Sequence, residues 1–361
     1  MNPLSRGLKC IKRSMRYGRR KKRETRRILP KKHPRENPMI SNIQREIQQA
    51  IEKAKTIALI SHKSPDGDSL GSVAGLGQAL METGKEVTLF INDKIPERYE
   101  FLAEKNPYRM YKKGMGEGMD LVFVLDCGQA SRLDYSEGIL NEGKVIINMD
   151  HHMKNPDFGH INWVNTEISS TCELVLELIR KLKLPLNHSV ATALYTGIVT
   201  DTGSFMYDNT APGTLRACAE LLEAGVDKDR IYREVFQSRN LREVKLLGEV
   251  LKDLTPLFEG RVTLSSLSQQ TLKNHDLDIQ SLDELIDFTR DIAGVEISVV
   301  LKEMENGGTK IGFRSKGEYR VDSLARSFGG GGHEKAAGAT VKTDLEETET
   351  SVKKALEELL K

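Results

Sequence analysis

Short apolar runs alternate with amphipathic helical segments over residues 40–235. The runs TIALI, EVTLFI, LVFVLD and KVIINMD are rich in β-branched residues and are bounded by turn-like or helical segments, so they predict buried strands. Segments such as IQREIQQAIEKA and TCELVLELIRKLKL have apolar residues at helical spacing. Strands that alternate with helices form βαβ units, and we therefore predict an α/β fold with a mostly parallel sheet.

A second, smaller α/β pattern occupies the C-terminal part of the chain. Strands are predicted at RVTLSSL, VEISVVLKEM and KIGFRS, followed by a glycine run and a terminal helix. The segment NLREVKLLGEVLKDL between the two patterns predicts an amphipathic connector helix. Its apolar positions are Leu241, Val244, Leu247, Leu251 and Leu254. The predicted division is a first domain over 39–235, a connector over 236–255 and a second domain over 256–361.

Basic charge is concentrated at the N-terminus. Residues 1–38 contain 15 of the 54 Lys and Arg residues but only 2 of the 52 acidic ones, so residues 39–361 carry a net charge of −11. The basic segment has little apolar content and is predicted to be a disordered tail with at most weak attraction to nucleic acid. A mitochondrial transit peptide and a natural start at Met39 are alternative explanations. The acidic remainder argues against a broad groove for long nucleic acid.

Composition also bears on location. No apolar run approaches the roughly 18 residues of a membrane span, so no membrane association is predicted. The four cysteines are far apart and form no C-x-x-C pair, which argues against a disulfide framework or a zinc ribbon. Free thiols are typical of a reducing compartment, and the predicted location is the cytoplasm.

Carboxylate and imidazole side chains follow three of the predicted strands. Because ligands of open parallel sheets bind beyond the carboxyl ends of the strands, we expect these side chains to meet at one edge, together with an aspartate that follows a helical run. The set is His62, Asp66, Asp68, Asp126, Asp150, His151, His152 and Asp201. So many carboxylates repel one another without a counter-charge, which predicts two divalent cations. Mixed imidazole and carboxylate ligands favour Mn²⁺, with Mg²⁺, Co²⁺ or Fe²⁺ as alternatives.

The order of these residues resembles that of the DHH phosphoesterase superfamily. The matching elements are the H-x-x-x-D-x-D pattern at 62–68, Asp126, the D-H-H at 150–152 and Asp201. The segment FGGGGHEKAAG at 328–338 resembles the hallmark of the DHH-associated C-terminal domain. The chain is most similar to the bacterial bifunctional oligoribonuclease (nanoRNase) and pAp phosphatase subfamily, from about residue 40 to its end. This resemblance implies an active site in the cleft between the two domains.

The resemblance also implies a role for each residue. One metal ion would be held by His62, Asp66 and Asp126. The other would be held by Asp68, Asp126, His151 and Asp201, with Asp126 as the bridge. Asp150 would orient an imidazole, and His152 would face the substrate phosphate. Gly67 would let the backbone turn tightly between the two neighbouring aspartates.

The glycine run is the second half of the predicted site. The main chain of Gly330, Gly331 and Gly332 can approach an anion closely. His333 can donate a hydrogen bond to a phosphate oxygen, and Arg314 can bind one with two hydrogen bonds. The predicted activity is hydrolysis of short RNA (2–5-mers) to mononucleotides and of 3′-phosphoadenosine 5′-phosphate (pAp) to AMP.

Several alternatives to this activity stay open. One is a phosphodiesterase for cyclic dinucleotides or their linear product pApA, and another is a non-catalytic nucleotide-binding regulator. RecJ-type exonucleases share the core but usually carry an added oligonucleotide-binding domain. Family II inorganic pyrophosphatases share the metal residues but lack the glycine–histidine motif. Substrate length, polarity of cleavage and a homodimeric state are likewise open.

Overall fold

The computed structural model describes residues 41–277 and 285–361. The predicted basic tail therefore lies outside the described residues. Two six-stranded sheets, one in each half of the described chain, are surrounded by helices, and this confirms the predicted α/β class. Among these residues, no helix combines the length and the apolar character that crossing a membrane would require.

The first sheet is parallel throughout, with strand order β3-β2-β1-β4-β5-β6. Its strands are β1 (Thr56–Ile60), β2 (Glu86–Ile91), β3 (Tyr108–Met110), β4 (Leu121–Leu125), β5 (Ile146–Asp150) and β6 (Ile161–Val164). The order reverses direction between β1 and β4, and such a reversal opens a crevice beyond the carboxyl ends of the two strands.

Both faces of the central strands are covered. In β1, Ile57 and Leu59 join the larger apolar core, while Ala58 and Ile60 join a second core on the other face. This alternation follows from the two-residue period of a strand, and burial on both faces explains the continuous apolar runs in the sequence.

Helices of the first domain include 3₁₀ segments at Glu97–Leu102 and at Ala130–Asn141, the second of which is interrupted by a kink at Asp134. The α-helices are α1 (Asn42–Lys53), α2 (Gly67–Met81), α3 (Thr171–Leu182), α4 (His188–Asp201), α5 (Pro212–Glu223) and α6 (Lys228–Phe236). Several begin at residues whose side chains accept a hydrogen bond from the first turn, among them Asp66 at α2 and Ser170 at α3.

The second sheet is mixed, with order β11-β12-β10-β9-β8-β7 and a parallel pairing between β8 and β9. Its strands are β7 (Thr255–Leu257), β8 (Val262–Leu267), β9 (Ile297–Glu303), β10 (Thr309–Ser315), β11 (Gly331–His333) and β12 (Ala336–Val341). A 3₁₀ turn spans Phe258–Gly260. The remaining helices are α7 (Leu241–Lys252), α8 (Gln269–Asn274), α9 (Leu285–Arg290), α10 (Val321–Ser327) and α11 (Leu345–Leu359).

Helix α7 lies within the predicted connector, but a different face of it is buried. Leu246 and Val250 pack into an apolar cluster with side chains of the second domain. Leu241, Val244 and Leu251, which belong to the predicted apolar stripe, are exposed. Leu247 of the same stripe packs against the cluster, so the stripe lies at the border of the buried face. A leucine-rich helix offers two apolar faces, and the position of the second sheet decides which one is covered.

Candidate active site

His62 and two aspartates form the first part of the site. His62 follows β1, Asp126 follows β4, and Asp66 caps the N-terminus of α2. His62 Nε2 lies 3.4 Å from Asp126 Oδ2 and 3.8 Å from Asp66 Oδ2. This buried nitrogen makes no hydrogen bond of good geometry within the described residues, while Nδ1 contacts the carbonyl oxygen of Lys63 at 2.7 Å. A buried imidazole nitrogen without a hydrogen bond, facing two carboxylates, is the arrangement expected of a metal ligand.

His151 gathers three carboxylates into the second part of the site. Its Nε2 lies 3.7 Å from Asp126 Oδ1, 3.7 Å from Asp201 Oδ2 and 3.9 Å from Asp68 Oδ2. Asp201 is the last residue of α4, and Asp68 lies in the first turn of α2. One oxygen of Asp126 thus faces His62 and the other faces His151, so this carboxylate lies between the two groups. We call His62, Asp66, Asp68, Asp126, His151 and Asp201 the acidic cluster.

Asp68 is held by the start of a distant helix. The main-chain N–H groups of Thr171 and Cys172, in α3, donate to its two oxygens at 2.7 and 2.8 Å. The Thr171 hydroxyl also donates to Asp126 Oδ1 at 3.2 Å. A helix N-terminus favours negative charge, so α3 stabilises both carboxylates in place. Thr171 and Cys172 carry no sequence motif of their own, although Ser170 before a helical run is a signal for a helix start at this point.

The charges of the acidic cluster are unbalanced in the protein alone. Burial, together with the negative charge of Asp126, raises the pKa of Asp68 and of Asp201. Burial opposes ionisation of Asp126 too, but the His62 imidazole 3.4 Å away and the nearby His152 lower the pKa of Asp126. Bound cations would remove the repulsion between these carboxylates. Imidazole and carboxylate donors suit a divalent transition metal, so the residues present fit such ions.

His152 is oriented by a buried hydrogen-bond chain. Its Nδ1 lies 2.7 Å from Asp150 Oδ1, and Asn155 Nδ2 donates to Asp150 Oδ2 at 2.8 Å. Burial disfavours the imidazolium, but the hydrogen bond to Asp150 and the charge of Asp126 outweigh it and raise the pKa of His152 to about 9. His152 also forms a compact group with Asp126 and His151, with ligand atoms within 4.8 Å of one another. Its bond to Asp150 fixes the orientation of the ring. Asn155 gave no signal in the sequence.

A cleft of about 960 Å³ joins the acidic cluster to the second domain. His333 of β11 stacks on His152, with ring centroids 5.0 Å apart and an interplanar angle of 27°. Burial and the neighbouring His152 lower the pKa of His333 to about 4. The cleft is also lined by Arg314 and by the predicted glycines Gly330, Gly331 and Gly332. Gly332 has φ of +139°, and a Cβ there would lie 2.6 Å from the carbonyl oxygen of Ala336.

Further basic side chains line the same cleft. Arg132 enters from the first domain, and Arg320 and Arg326 flank Asp322 beside the glycine run. Arg320 lies 3.3 Å from Asp322 Oδ1, and Arg326 also forms an ion pair with this carboxylate. No sequence motif pointed to Arg132, whereas Arg320 and Arg326 lie in RVDSLARS, one residue before the glycine run.

Gly67 has a role different from the predicted one. It is the first residue of α2 and is not among the glycines with positive φ. A Cβ at this position would lie 2.3 Å from Thr200 Oγ1 of α4. The glycine therefore allows the two helices that carry Asp68 and Asp201 to approach each other, and the prediction of a tight turn at Gly67 is wrong.

Both domains of the chain match known protein families. Residues 56–198 match the N-terminal domain of the DHH family, and residues 261–361 match the DHHA1 domain. The chain is 35% identical over 316 residues to the bifunctional oligoribonuclease and PAP phosphatase NrnA of Thermus thermophilus, covering 87% of this chain and 93% of the relative. It is 30% identical over 299 residues to the protein of the same name from Bacillus subtilis, covering 82% and 92%.

A solved structure is similar over nearly the whole chain. The crystal structure of an exopolyphosphatase-related protein from Bacteroides fragilis has a TM-score of 0.83 and 29% identity, covering 88% of this chain and 96% of that one. The fold of this chain is therefore shared with that structure.

Proposed function

Because this chain belongs to the DHH family and carries a DHHA1 domain after the DHH domain, we propose that it is a phosphoesterase that hydrolyses short RNA oligonucleotides to mononucleotides and pAp to AMP. Relatives at 35% and 30% identity bear the name of this double activity, which favours it over the cyclic-dinucleotide alternative. An intact acidic cluster favours an enzyme over a non-catalytic regulator, since binding alone does not require two sets of metal ligands.

We assign the acidic cluster to two divalent cations, proposed to be Mn²⁺. His62, Asp66 and Asp126 would hold one ion, and Asp68, Asp126, His151 and Asp201 would hold the other. When bound, such ions polarise a phosphate and make water a competent nucleophile at neutral pH. The support for this assignment is the unsatisfied Nε2 of His62 and the raised pKa values of Asp68 and Asp201.

Residues around the acidic cluster would act on the substrate directly. His152, protonated through its bond to Asp150, can donate a hydrogen bond to a phosphate oxygen or a proton to the leaving oxygen. Arg314 and the glycine run can bind a second phosphate of the same substrate, which would fix the distance from the scissile phosphate to the held end. The net charge of −11 over residues 39–361 favours a short ligand over a long strand.

One observation carries this proposal: His333 of the second domain stacks on His152 beside the acidic cluster. A phosphate bound at the cluster would therefore lie against both domains. The cleft volume of about 960 Å³ suits a nucleotide-sized ligand. Both features agree with a substrate that has an end to be held in the second domain.

A substrate panel tests the proposal. The purified protein is incubated with pAp, pApA, labelled 2–5-mers, a long single strand, cyclic di-AMP and pyrophosphate, each with Mn²⁺, Mg²⁺ or EDTA. We expect pAp to yield AMP and phosphate, and the 2–5-mers to yield mononucleotides. The rates should be highest with Mn²⁺, and EDTA should abolish hydrolysis. Asp126→Asn, which keeps the side-chain volume, is the inactive control. Hydrolysis of pyrophosphate or cyclic di-AMP without hydrolysis of pAp or 2–5-mers would contradict the proposal.

A further inference from the structure

A second cavity borders the acidic cluster. It has a volume of about 340 Å³ and lies among the C-terminal end of α4, the end of α6 and the short helix α9. We call it the α9 cavity. It shares Asp66 and Asp201 with the cleft that contains His333, but its other walls are different. A phosphate bound at the acidic cluster would therefore adjoin both spaces.

Aromatic rings and guanidinium groups line the α9 cavity together. The Arg239 guanidinium lies 4.6 Å from the centroid of the Phe288 ring, and that of Arg290 lies 5.9 Å from the centroid of Tyr207. Phe288 and Tyr207 are each 40% exposed. Exposed aromatic rings are costly in water, but they are the surface on which nucleobases stack.

Charged side chains of both signs line the α9 cavity. Arg98, Arg239 and Arg290 line it together with Asp287 and Asp291. The charge of Arg290 is offset locally, because its guanidinium lies 2.9 Å from an oxygen of Asp287 and 2.9 Å from an oxygen of Asp291. Arg98 and Arg239 come from other segments of the chain, and Asp66, Asp68 and Asp201 of the acidic cluster also line the cavity. Aromatic rings interleaved with arginines are typical of surfaces that bind single-stranded nucleic acid.

We propose that the α9 cavity binds the nucleoside on the other side of the scissile phosphate from the nucleotide held by His333 and Arg314. This inference rests on the proposed function. A dinucleotide has a nucleoside on each side of its phosphodiester, whereas the 3′-phosphate of pAp has a nucleoside on one side and no second base. The volume is at the low end for ligand pockets, which suits one nucleoside and not several. The cavity therefore distinguishes oligonucleotides from pAp.

The two substrates provide the test, because pAp has nothing to place in the α9 cavity. Phe288→Ala removes a stacking surface, and Arg239→Gln removes a charge while keeping most of the side-chain length. For each variant, kcat/KM is measured on pApA and on pAp, and bound metal is measured alongside. We expect kcat/KM on pApA to fall about 5- to 100-fold, the range for loss of one base–aromatic stack. The value on pAp and the bound metal should change less than about twofold, well below the effect of one such stack. Leu215→Ala, which alters an exposed residue of α5 outside the cavity, is the matched control.

The outcomes separate this inference from the proposed function. If the wild-type protein hydrolyses neither substrate, the proposed function fails and the subsite fails with it. If it hydrolyses both, but the two variants lower both rates alike or change neither, the proposed function stands and the α9 cavity is not a nucleoside subsite. A loss on pApA that Leu215→Ala reproduces would also overturn the assignment.

Discussion

A single methyl group at Gly197 is expected to disturb both the core and the acidic cluster. Gly197 is buried in α4, where the helix passes closest to Asp68. A Cβ at this position would lie 2.2 Å from Cys172 Sγ, 2.9 Å from Asp68 Oδ1 and 3.0 Å from Asp68 Cα. Neither neighbour can move freely, because Cys172 is buried and its N–H group donates to Asp68.

The size of the effect follows from two opposing contributions. Overpacking of a dense core costs about 1–3 kcal/mol. Replacing a helical glycine by alanine recovers up to about 1 kcal/mol of backbone entropy. Because both contacts of Gly197 are with restrained groups, we expect Gly197→Ala to lower the free energy of unfolding by about 1–2 kcal/mol. Displacement of Asp68 should also reduce kcat/KM, by as much as about 100-fold for a shift near 1 Å.

Urea denaturation measures the first effect, with the fluorescence of Trp163 as the probe. This residue is the sole tryptophan of the chain and lies in the core of the first domain. Gly248→Ala is the control, since Gly248 lies within α7 and has no atom within 4 Å of an added Cβ. We expect Gly248→Ala to raise the free energy of unfolding by about 0.5–1 kcal/mol and to keep full activity. Because Gly248 lies outside the first domain, the unfolding of this variant is monitored by far-UV circular dichroism.

Gly197→Ala with wild-type stability and activity would refute this reasoning. Reduced stability with unchanged activity would show that the close contact packs the core but does not position Asp68.

Three further predictions concern the cation site, the second domain and pH. Mn²⁺ at about 100 times its Kd should stabilise the wild-type protein by about 2.7 kcal/mol per site, which is measured as a rise in Tm. Asp126→Asn should not show this rise, and an equal rise in the variant would rule out Asp126 as the bridge. Arg314→Ala should lower kcat/KM on pAp about 10- to 100-fold with bound metal unchanged, because one charge-assisted hydrogen bond is lost, and a parallel loss of metal would contradict this. Burial opposes ionisation of Asp322, but its pairs with Arg320 and Arg326 lower the pKa of Asp322. Its ionised form therefore stabilises the fold above the unfolded-state pKa of about 4, and this contribution is lost as the pH falls through the lowered pKa of the folded state. Asp322→Asn should have a lower free energy of unfolding than the wild type at pH 7, and the difference should shrink near pH 3. An equal difference in free energy of unfolding at both pH values would contradict the pKa shift.

Local patterns in the sequence were sufficient to predict the strands that carry the acidic cluster. The runs before His62 and Asp126 are buried on both faces of a parallel sheet, so they are apolar throughout and easily recognised. Polar residues directly after such runs must lie at the carboxyl edge of the sheet, whatever the rest of the fold. The short strand β6, with the sequence INWV, was not predicted, because it is only partly buried at the edge of the sheet.

Contacts between distant segments could not be predicted in this way. The N–H groups that hold Asp68 come from residues more than 100 positions away. Gly67 is required by Thr200 of another helix, and the packed face of α7 is chosen by the second sheet. The walls of the α9 cavity likewise come from segments of both domains. Hydrophobic period and turn chemistry are properties of neighbouring residues, so the sequence determined the elements and the residues at their ends. Distances between elements depend on how whole faces pack, and only the tertiary structure decided those.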